Sequence, residues 1–321
     1  MRVLFLGTGG IGARHAANVR ALAPQAEFVA VRASPSEVTE RFAMRLVPDL
    51  AAGLRASPNF AVVALPPALH GSAARRILEA DVDLYIEKPP ALRAADLEPA
   101  ARAAESRGVV RMSGCILRQM PGFRRLREAI AANRLGQVLS ASLSVGNWLP
   151  DWRPDRDYRG SYSAHRALGG GVIYDLIHEL DLARMLLGEL QVVSASACLT
   201  GVLDADVEDL AEIILRRDKL LVRVHLDYLD RTPHRCGRIA GTDGTAEYDA
   251  ISGRLSCYTF DKRQWSEPAS PEDFAAPAAL RAAMAHFIDC AARREPTGQP
   301  LSDALRSVTL AERARALAGL G

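Results

Sequence analysis

Through the first third of the chain, short runs of β-branched and apolar residues alternate with longer amphipathic, Ala-rich stretches, and the period of each run predicts its element. Strands are predicted over residues 2–6, 28–31, 60–65, 84–86 and 109–113. Helices are predicted over 11–22, 36–46, 69–80 and 94–107, the last stopped by Gly108. This βαβ rhythm implies a doubly wound parallel α/β sheet, a Rossmann domain. After Pro121 and Gly122 the pattern changes. A helix running to about Asn133 gives way to a strand over 138–145, and then to a loop of more than twenty residues rich in Trp, Arg, Tyr and Gly. Loops that long usually carry function. A single helix over 172–187 follows. Beyond it, strands punctuated at Arg217-Asp218, Asp243-Gly244 and Ser252-Gly253 predict an α+β domain with an open, mostly antiparallel sheet. From Val222 to Tyr228 the period of two puts Val, Val, Leu and Tyr on one face and Arg, His and Asp on the other. Helices over 278–294 and 302–317 close the chain. The expected division is 1–118 for the Rossmann domain and 119–321 for a substrate-binding and oligomerisation domain, with the last helix, about 302–319, able to pack back on the first.

Composition narrows the functional classes. With 321 residues, 49% of them hydrophobic, two cores can form. Forty Lys and Arg stand against 38 Asp and Glu, and no basic block follows the spacing of a phosphate backbone, which excludes nucleic acid as the expected partner. The longest apolar stretch, 60–69, is interrupted by Pro66 and Pro67 and is about half a bilayer span, so no membrane association is expected. The N-terminus runs straight into a strand and glycines without a signal-peptide core. Cys115, Cys198, Cys236, Cys257 and Cys290 are scattered and contain no Cys-x-x-Cys, which predicts a reduced, cytoplasmic protein with no zinc site.

The first candidate chemistry is Gly7-Thr8-Gly9-Gly10-Ile11-Gly12, a G-x-G-x-x-G between a predicted strand and a predicted helix. Glycines permit the tight turn and bring backbone N–H groups to a pyrophosphate at the positive end of the helix. The residue that reads the adenosine ribose should lie about twenty positions on. There the chain has Arg32 and Ser34 and no carboxylate, so NADP is slightly favoured over NAD.

Three motifs together resemble the Gfo/Idh/MocA oxidoreductase family: Gly7 to His15 with Asn18, then Glu87-Lys88-Pro89, then Gly169-Gly170-Gly171-Val172-Ile173-Tyr174-Asp175 running on through His178 to Asp181. Trp148 to Pro154, Asp157-Tyr158-Arg159 and Ser161-Tyr162-Ser163 further resemble members associated with bacterial surface-polysaccharide and nonulosonic-acid gene sets. The resemblance implies reversible hydride transfer at a sugar or polyol carbon, with Lys88 and His178 as the catalytic pair. It implies cofactor contacts from the glycine loop, His15, Leu65, Pro66, His70, Glu87 and Lys88. It also implies a homo-oligomer, a dimer or tetramer, formed through the C-terminal sheet. Asp175 lies three residues before His178 where many members have four, Leu65 replaces a polar residue before Pro66, and Ile116 stands where Asn is frequent.

The residues support this chemistry independently. Oxidising a carbinol requires a base for the hydroxyl proton, and an imidazole suits that near neutral pH. On a continuous helix, Asp175 and Asp181 would flank His178 at i−3 and i+3. His178-Glu179 has no second His at i+4, so a helical zinc motif is not expected. Lys88 is one of three lysines, with Lys219 and Lys262, in a chain that otherwise uses Arg; an amine can donate and lose a proton where Arg cannot. The long loop offers Trp148, Trp152, Tyr158, Tyr162 and, beyond it, Tyr174 for stacking and hydroxyl contacts. Arg153, Arg156 and Arg159 offer guanidinium for an anionic group on a carbohydrate substrate. Two readings on the same fold compete with a dehydrogenase or reductase: a glycoside-cleaving enzyme with no net redox change, and a non-catalytic dinucleotide sensor.

Overall fold

The computed structural model describes residues 1–266 and 269–320. The chain divides into two compact units, one formed by Met1–Cys115 with Leu280–Val308 and the other by Ile116–Ala279 with Thr309–Gly321. Residues 280–308 belong to the first unit, so the two units do not divide at a single point of the chain.

The first unit contains β1 (Arg2–Leu6), α1 (Gly10–Leu22), β2 (Glu27–Val31), α2 (Glu37–Arg41), β3 (Arg45–Val47), α3 (Leu50–Arg55), β4 (Phe60–Val63), α4 (His70–Glu79), β5 (Asp83–Ile86), α5 (Glu98–Ser106) and β6 (Arg111–Ser113). Its six strands are parallel in the order β3-β2-β1-β4-β5-β6, the arrangement of a dinucleotide-binding sheet. β4 and β5 are buried along their whole length, which is why Phe60–Val63 and residues 84–86 read as apolar runs; the buried Asp83 at the start of β5 is held by the Val110 N–H and Arg294.

The helix predicted over 36–46 is a correction. It stops at Arg41, the chain turns through Ala43 at φ 49°, and residues 45–47 become an added edge strand beside β2. Apolar spacing alone does not separate a short helix followed by a short strand from one longer helix.

The second unit contains α6 (Pro121–Ala131), β7 (Val138–Gly146), α7 (Val172–Asp175), α8 (His178–Leu187), β8 (Gln191–Cys198), β9 (Leu210–Arg217), β10 (Leu220–Asp227), β11 (His234–Gly241), β12 (Gly244–Asp249), β13 (Arg254–Thr259) and β14 (Gln264–Ser266). The sheet order is β14-β13-β12-β11-β7-β10-β9-β8. β7 and β10 pair in parallel at its centre, and the other neighbours are antiparallel. The alternation read in β10 holds: Val222, Val224, Leu226 and the following Tyr228 are fully buried, whereas Arg223 is exposed and His225 partly so. Asp227 departs from it, being buried although it belongs to the polar face.

Two last helices, α9 (Ala276–Arg293) and α10 (Leu301–Leu317), complete the chain. Phe287 of α9 is fully buried, with its ring 5.2 Å from Phe60 on β4 and 5.7 Å from Tyr85 on β5, both edge-on. This contact explains why a segment so late in sequence belongs to the first unit. Phe287→Ala removes the shared ring and is expected to cost about 3–5 kcal/mol, read as a lowered urea midpoint. A loss below about 1 kcal/mol would mean that α9 is not anchored there.

Candidate functional site

In the first unit the glycine loop separates into two kinds of glycine. Gly7 has φ +95°, and a Cβ on it would lie 2.2 Å from the Ala64 carbonyl oxygen. A Cβ on Gly12 would lie 2.1 Å from the Gly7 carbonyl oxygen. These two are required by the protein's own packing. A Cβ on Gly9 or Gly10 would meet nothing within 4 Å. Gly9 is the N-cap of α1 and has no side chain to cap it, so it cannot itself satisfy the first N–H groups of the helix. That combination suits a pyrophosphate.

At the end of β2, Arg32 donates to the Ser34 carbonyl oxygen at 2.6 Å and to Thr8 Oγ1 at 3.2 Å. Its guanidinium therefore lies against the glycine loop.

His15 and Glu87 form a buried pair behind that loop, with His15 Nε2 2.7 Å from Glu87 Oε1. Burial by itself raises the Glu87 carboxyl, but the His15 hydrogen bond and charge, together with Lys88, bring it below the ordinary value. The other Glu87 oxygen accepts from the Lys88 backbone N–H at 3.3 Å. His70, at the start of α4, is also buried, with Nδ1 2.7 Å from the Pro89 carbonyl oxygen and Nε2 2.8 Å from that of Leu65. Burial lowers its pKa, opposed by the Pro89 carbonyl. The Lys88-Pro89 peptide is cis, and Lys88 is half-buried.

The second unit builds its site on the glycine run before α7. Gly169 and Gly171 have φ +85° and +99°; a Cβ on Gly170 would lie 2.3 Å from the Tyr162 carbonyl oxygen, and one on Gly171 would lie 2.5 Å from the Glu208 carboxylate. Glu208 is buried and takes two hydrogen bonds from Arg315, at 2.8 and 2.9 Å. Its backbone carbonyl accepts from Val172 N–H at 3.0 Å, which ties down the start of α7.

The helix expected over 172–187 is broken. α7 ends at Asp175, and α8 begins at His178. Different partners hold the two pieces. Asp175, 2% exposed, accepts from Tyr162 Oη at 2.6 Å, Ser163 Oγ at 2.6 Å and Tyr228 Oη at 3.0 Å. Asp181 of α8 forms a two-pronged pair with Arg118 at 2.6 and 2.7 Å, and Glu179 accepts from Arg235 at 2.7 Å. Burial, with Asp175 beside it, pushes the Tyr228 phenol well above its usual range, so it remains a donor. From Gly169 to Arg184 every residue is buried except His178.

Two matches to one family together span most of the chain. Residues 1–115 match the oxidoreductase family with an NAD-binding Rossmann fold, and residues 123–247 match the GFO/IDH/MocA C-terminal domain. The chain belongs to the Gfo/Idh/MocA oxidoreductase family.

Among curated relatives, 2,7-anhydro-N-acetylneuraminate hydratase of Escherichia coli (strain K12) is 30% identical over 40% of this chain and 33% of its own length. Myo-inositol dehydrogenase of Streptomyces leeuwenhoekii is 30% identical over 65% of this chain and 63% of its own. The matched part of the chain thus spans about a third of the first relatives' length. Of solved structures, levoglucosan dehydrogenase in complex with NADH and levoglucosan superposes with a TM-score of 0.86 at 18% identity, covering 99% of this chain and 97% of that one. UDP-N-acetylglucosamine 3-dehydrogenase from Acidithiobacillus ferrooxidans gives 0.81 at 24% identity, covering 100% and 98%. These likenesses establish the fold.

On this Gfo/Idh/MocA chain the residues expected to contact ligands differ in burial and in their protein partners. His15, His70 and Glu87 are buried and bonded to the protein itself, behind the loop and beneath Lys88. Leu65 and Pro66 remain partly exposed. In the long loop, the Arg231 guanidinium covers the Trp148 ring at 3.5 Å, and Arg159 is bonded to Asp157 at 2.9 and 3.0 Å. Tyr174 is buried, with the Arg315 guanidinium 5.0 Å from its ring centre. By contrast Trp152, Arg153, Arg156, Tyr158, Tyr162 and Ser163 line one cavity of about 170 Å³ within the second unit. Two of these residues, Tyr162 and Ser163, give their hydroxyls to Asp175, so the cavity wall continues into the carboxylate three positions before His178. Sequence reasoning missed Tyr228, Glu208 and Arg118 as parts of this arrangement. Their only signal was a polar residue inside an otherwise apolar pattern.

The two kinds of glycine make a direct prediction. Gly9→Ala should leave stability within about 0.5 kcal/mol and weaken dinucleotide binding at least tenfold, whereas Gly12→Ala should lower stability as well. Denaturant unfolding and a fluorescence titration of each variant check this; equal loss of stability in both would show that the loop is only a packed turn.

Proposed function

We propose that the chain is an NAD(P)-dependent oxidoreductase transferring a hydride between nicotinamide and a carbinol or carbonyl carbon of a sugar or sugar derivative. The observation that carries this reading is a half-buried imidazole, His178, set in an otherwise buried helical segment of a chain whose glycine loop is shaped for a dinucleotide. The named activities of relatives and fold neighbours on inositol, levoglucosan and a nucleotide sugar supply the substrate class.

Bound nicotinamide supplies the hydride acceptor in oxidation and the donor in reduction. His178 removes the hydroxyl proton when a carbinol is oxidised and returns it when a carbonyl is reduced. Lys88 donates to the reacting oxygen, its backbone fixed by Glu87 and by the following Pro89, which His70 holds. Asp175 positions the wall next to His178 through Tyr162, Ser163 and Tyr228. The hydroxyls and exposed guanidinium groups of Arg153 and Arg156 in the loop cavity suit a polyhydroxylated substrate with an anionic group. At the ribose end, Arg32 and Ser34 without a carboxylate favour NADP(H). Self-association through the open face of the second sheet belongs to the same reading.

A second reading, substrate conversion with no net redox change, is kept because one relative is named a hydratase.

His178→Ala is expected to lower turnover by about two to four powers of ten with dinucleotide affinity within a few-fold. Lys88→Arg keeps the charge but misplaces the donor, so about a hundredfold loss in turnover is expected. Steady-state rates beside cofactor titration test both. Near-wild-type turnover in either variant would remove that residue from the chemistry.

Arg32→Asp should shift preference toward NAD(H), since a carboxylate accepts from the ribose 2′-OH and repels a 2′-phosphate. Unchanged NADP(H) affinity would mean that Arg32 does not read the ribose.

A further inference from the structure

On the outward face of the second sheet, β7 runs between β10 and β11. Gly146 of β7 sits opposite Asp227 of β10 on one side and His234 of β11 on the other. A Cβ on Gly146 would lie 2.2 Å from Asp227 Oδ2 and 2.5 Å from His234 Cε1. The missing side chain thus leaves a hollow into which residues from two non-adjacent strands lean. Two residues earlier on β7, Ser144 pairs with His225 of β10, so the floor beneath the hollow is small along its length.

We propose that His225, Asp227 and His234 form a binding site for a divalent transition-metal ion of the zinc class, separate from the redox site. One donor atom from each of the three residues lies within 4.8 Å of the other two. A tetrahedral zinc centre with bonds near 2.0–2.1 Å separates its donors by about 3.3 Å. The His225 Nε2 to Asp227 Oδ2 distance is 2.9 Å, so a small rotation of the partly exposed His225 ring opens it to coordination. His234 Nε2 is 2.7 Å from Ser144 Oγ, a bond that the ion replaces.

The opposite nitrogen of each ring is already held by a carboxylate. His225 Nδ1 is 2.7 Å from Glu212 Oε1, and His234 Nδ1 is 3.0 Å from Asp230 Oδ2. This is the carboxylate–histidine–metal arrangement, in which the outer carboxylate fixes the tautomer and orientation of a ligating ring. The second Asp227 oxygen accepts from the backbone N–H groups of Leu229 and Asp230, at 2.8 and 2.7 Å, leaving Oδ2 for the ion. Two imidazoles and one carboxylate suit Zn²⁺, Co²⁺ or Ni²⁺, whereas Mg²⁺ and Ca²⁺ prefer oxygen alone. The side chains of His225, Asp227 and His234 are 21%, 7% and 24% exposed in the single chain, so an ion can reach them before any self-association covers this face.

These ligands are invisible to motif spacing because Asp227 and His234 are brought together by Gly146, which belongs to neither strand. Tyr228, next to Asp227, points to the opposite face and reaches Asp175, so the proposed metal and the redox chemistry lie on different faces of the sheet.

Untagged full-length protein, stripped with chelator and exchanged into chelator-free buffer, is titrated with Co²⁺ and then Zn²⁺. Visible absorption reports cobalt geometry, and calorimetry reports stoichiometry. One ion per chain at about micromolar affinity or tighter is expected, with Zn²⁺ displacing Co²⁺. His225→Gln and His234→Gln should each weaken binding at least tenfold, and Asp230→Asn about tenfold to a hundredfold. His286→Gln, on α9, should bind as wild type does. Zn²⁺ should raise the melting temperature of the wild type and not that of the double histidine variant. Wild-type protein that takes up no Co²⁺ overturns the proposal without reference to any variant. Undiminished uptake by both single histidine variants overturns it as well.

Discussion

A carboxylate shut away from water must find a partner, and the dinucleotide half of this molecule depends on one such pairing. Glu87 closes β5 and is buried against His15 of α1, the helix that starts in the glycine loop. One hydrogen bond thus joins the helix that follows the glycine loop to the residue immediately before Lys88. Gly114 is required by the same contact, because a Cβ there would lie 2.9 Å from Glu87 Oε1. His70 repeats the device from α4, gripping the carbonyls of Leu65 and Pro89. The backbone on both sides of Lys88 is therefore held by buried groups of the first unit.

The second unit uses the same principle with different partners. Asp175 is satisfied by three hydroxyls, and the Glu208 carboxylate by Arg315 and the Ile173 N–H at the start of α7. Removing one partner from a buried pair of this kind typically costs about 3–5 kcal/mol, more than most surface contacts supply. These anchors allow a helix to be cut in two at residues 176–177 and still present His178 at a defined place.

The parallel sheet, the glycine loop and the long aromatic loop were legible because each writes a local pattern: apolar runs, glycine spacing and length without periodicity. β3 was not, since residues 36–46 satisfy helical spacing until Ala43 adopts a left-handed conformation. The break before His178 was hidden for a similar reason. Apolar residues on both sides of it keep the helical period, and only tertiary bonds from Tyr162, Ser163, Tyr228 and Arg118 reveal that the two pieces answer to different neighbours. Residues carried over on motif alone divide along burial: Gly9, Arg32 and Lys88 remain accessible, whereas His15, His70 and Glu87 are buried. The β7–β10 parallel pairing, and with it the His225–Asp227–His234 cluster, depends on strand order, which no local pattern encodes.

In the proposed reaction a hydride passes between nicotinamide and a sugar carbon and is not returned. Its most direct measurement supplies nicotinamide dinucleotide deuterated at the transferable position of C4, together with a panel of keto sugars, and follows the label by mass spectrometry beside absorbance of the reduced cofactor. The account predicts deuterium in the product in proportion to the cofactor oxidised. Product formed while the reduced cofactor stays constant would contradict it and establish a borrowed hydride instead, and a panel that returns no labelled sugar at all would contradict it as well.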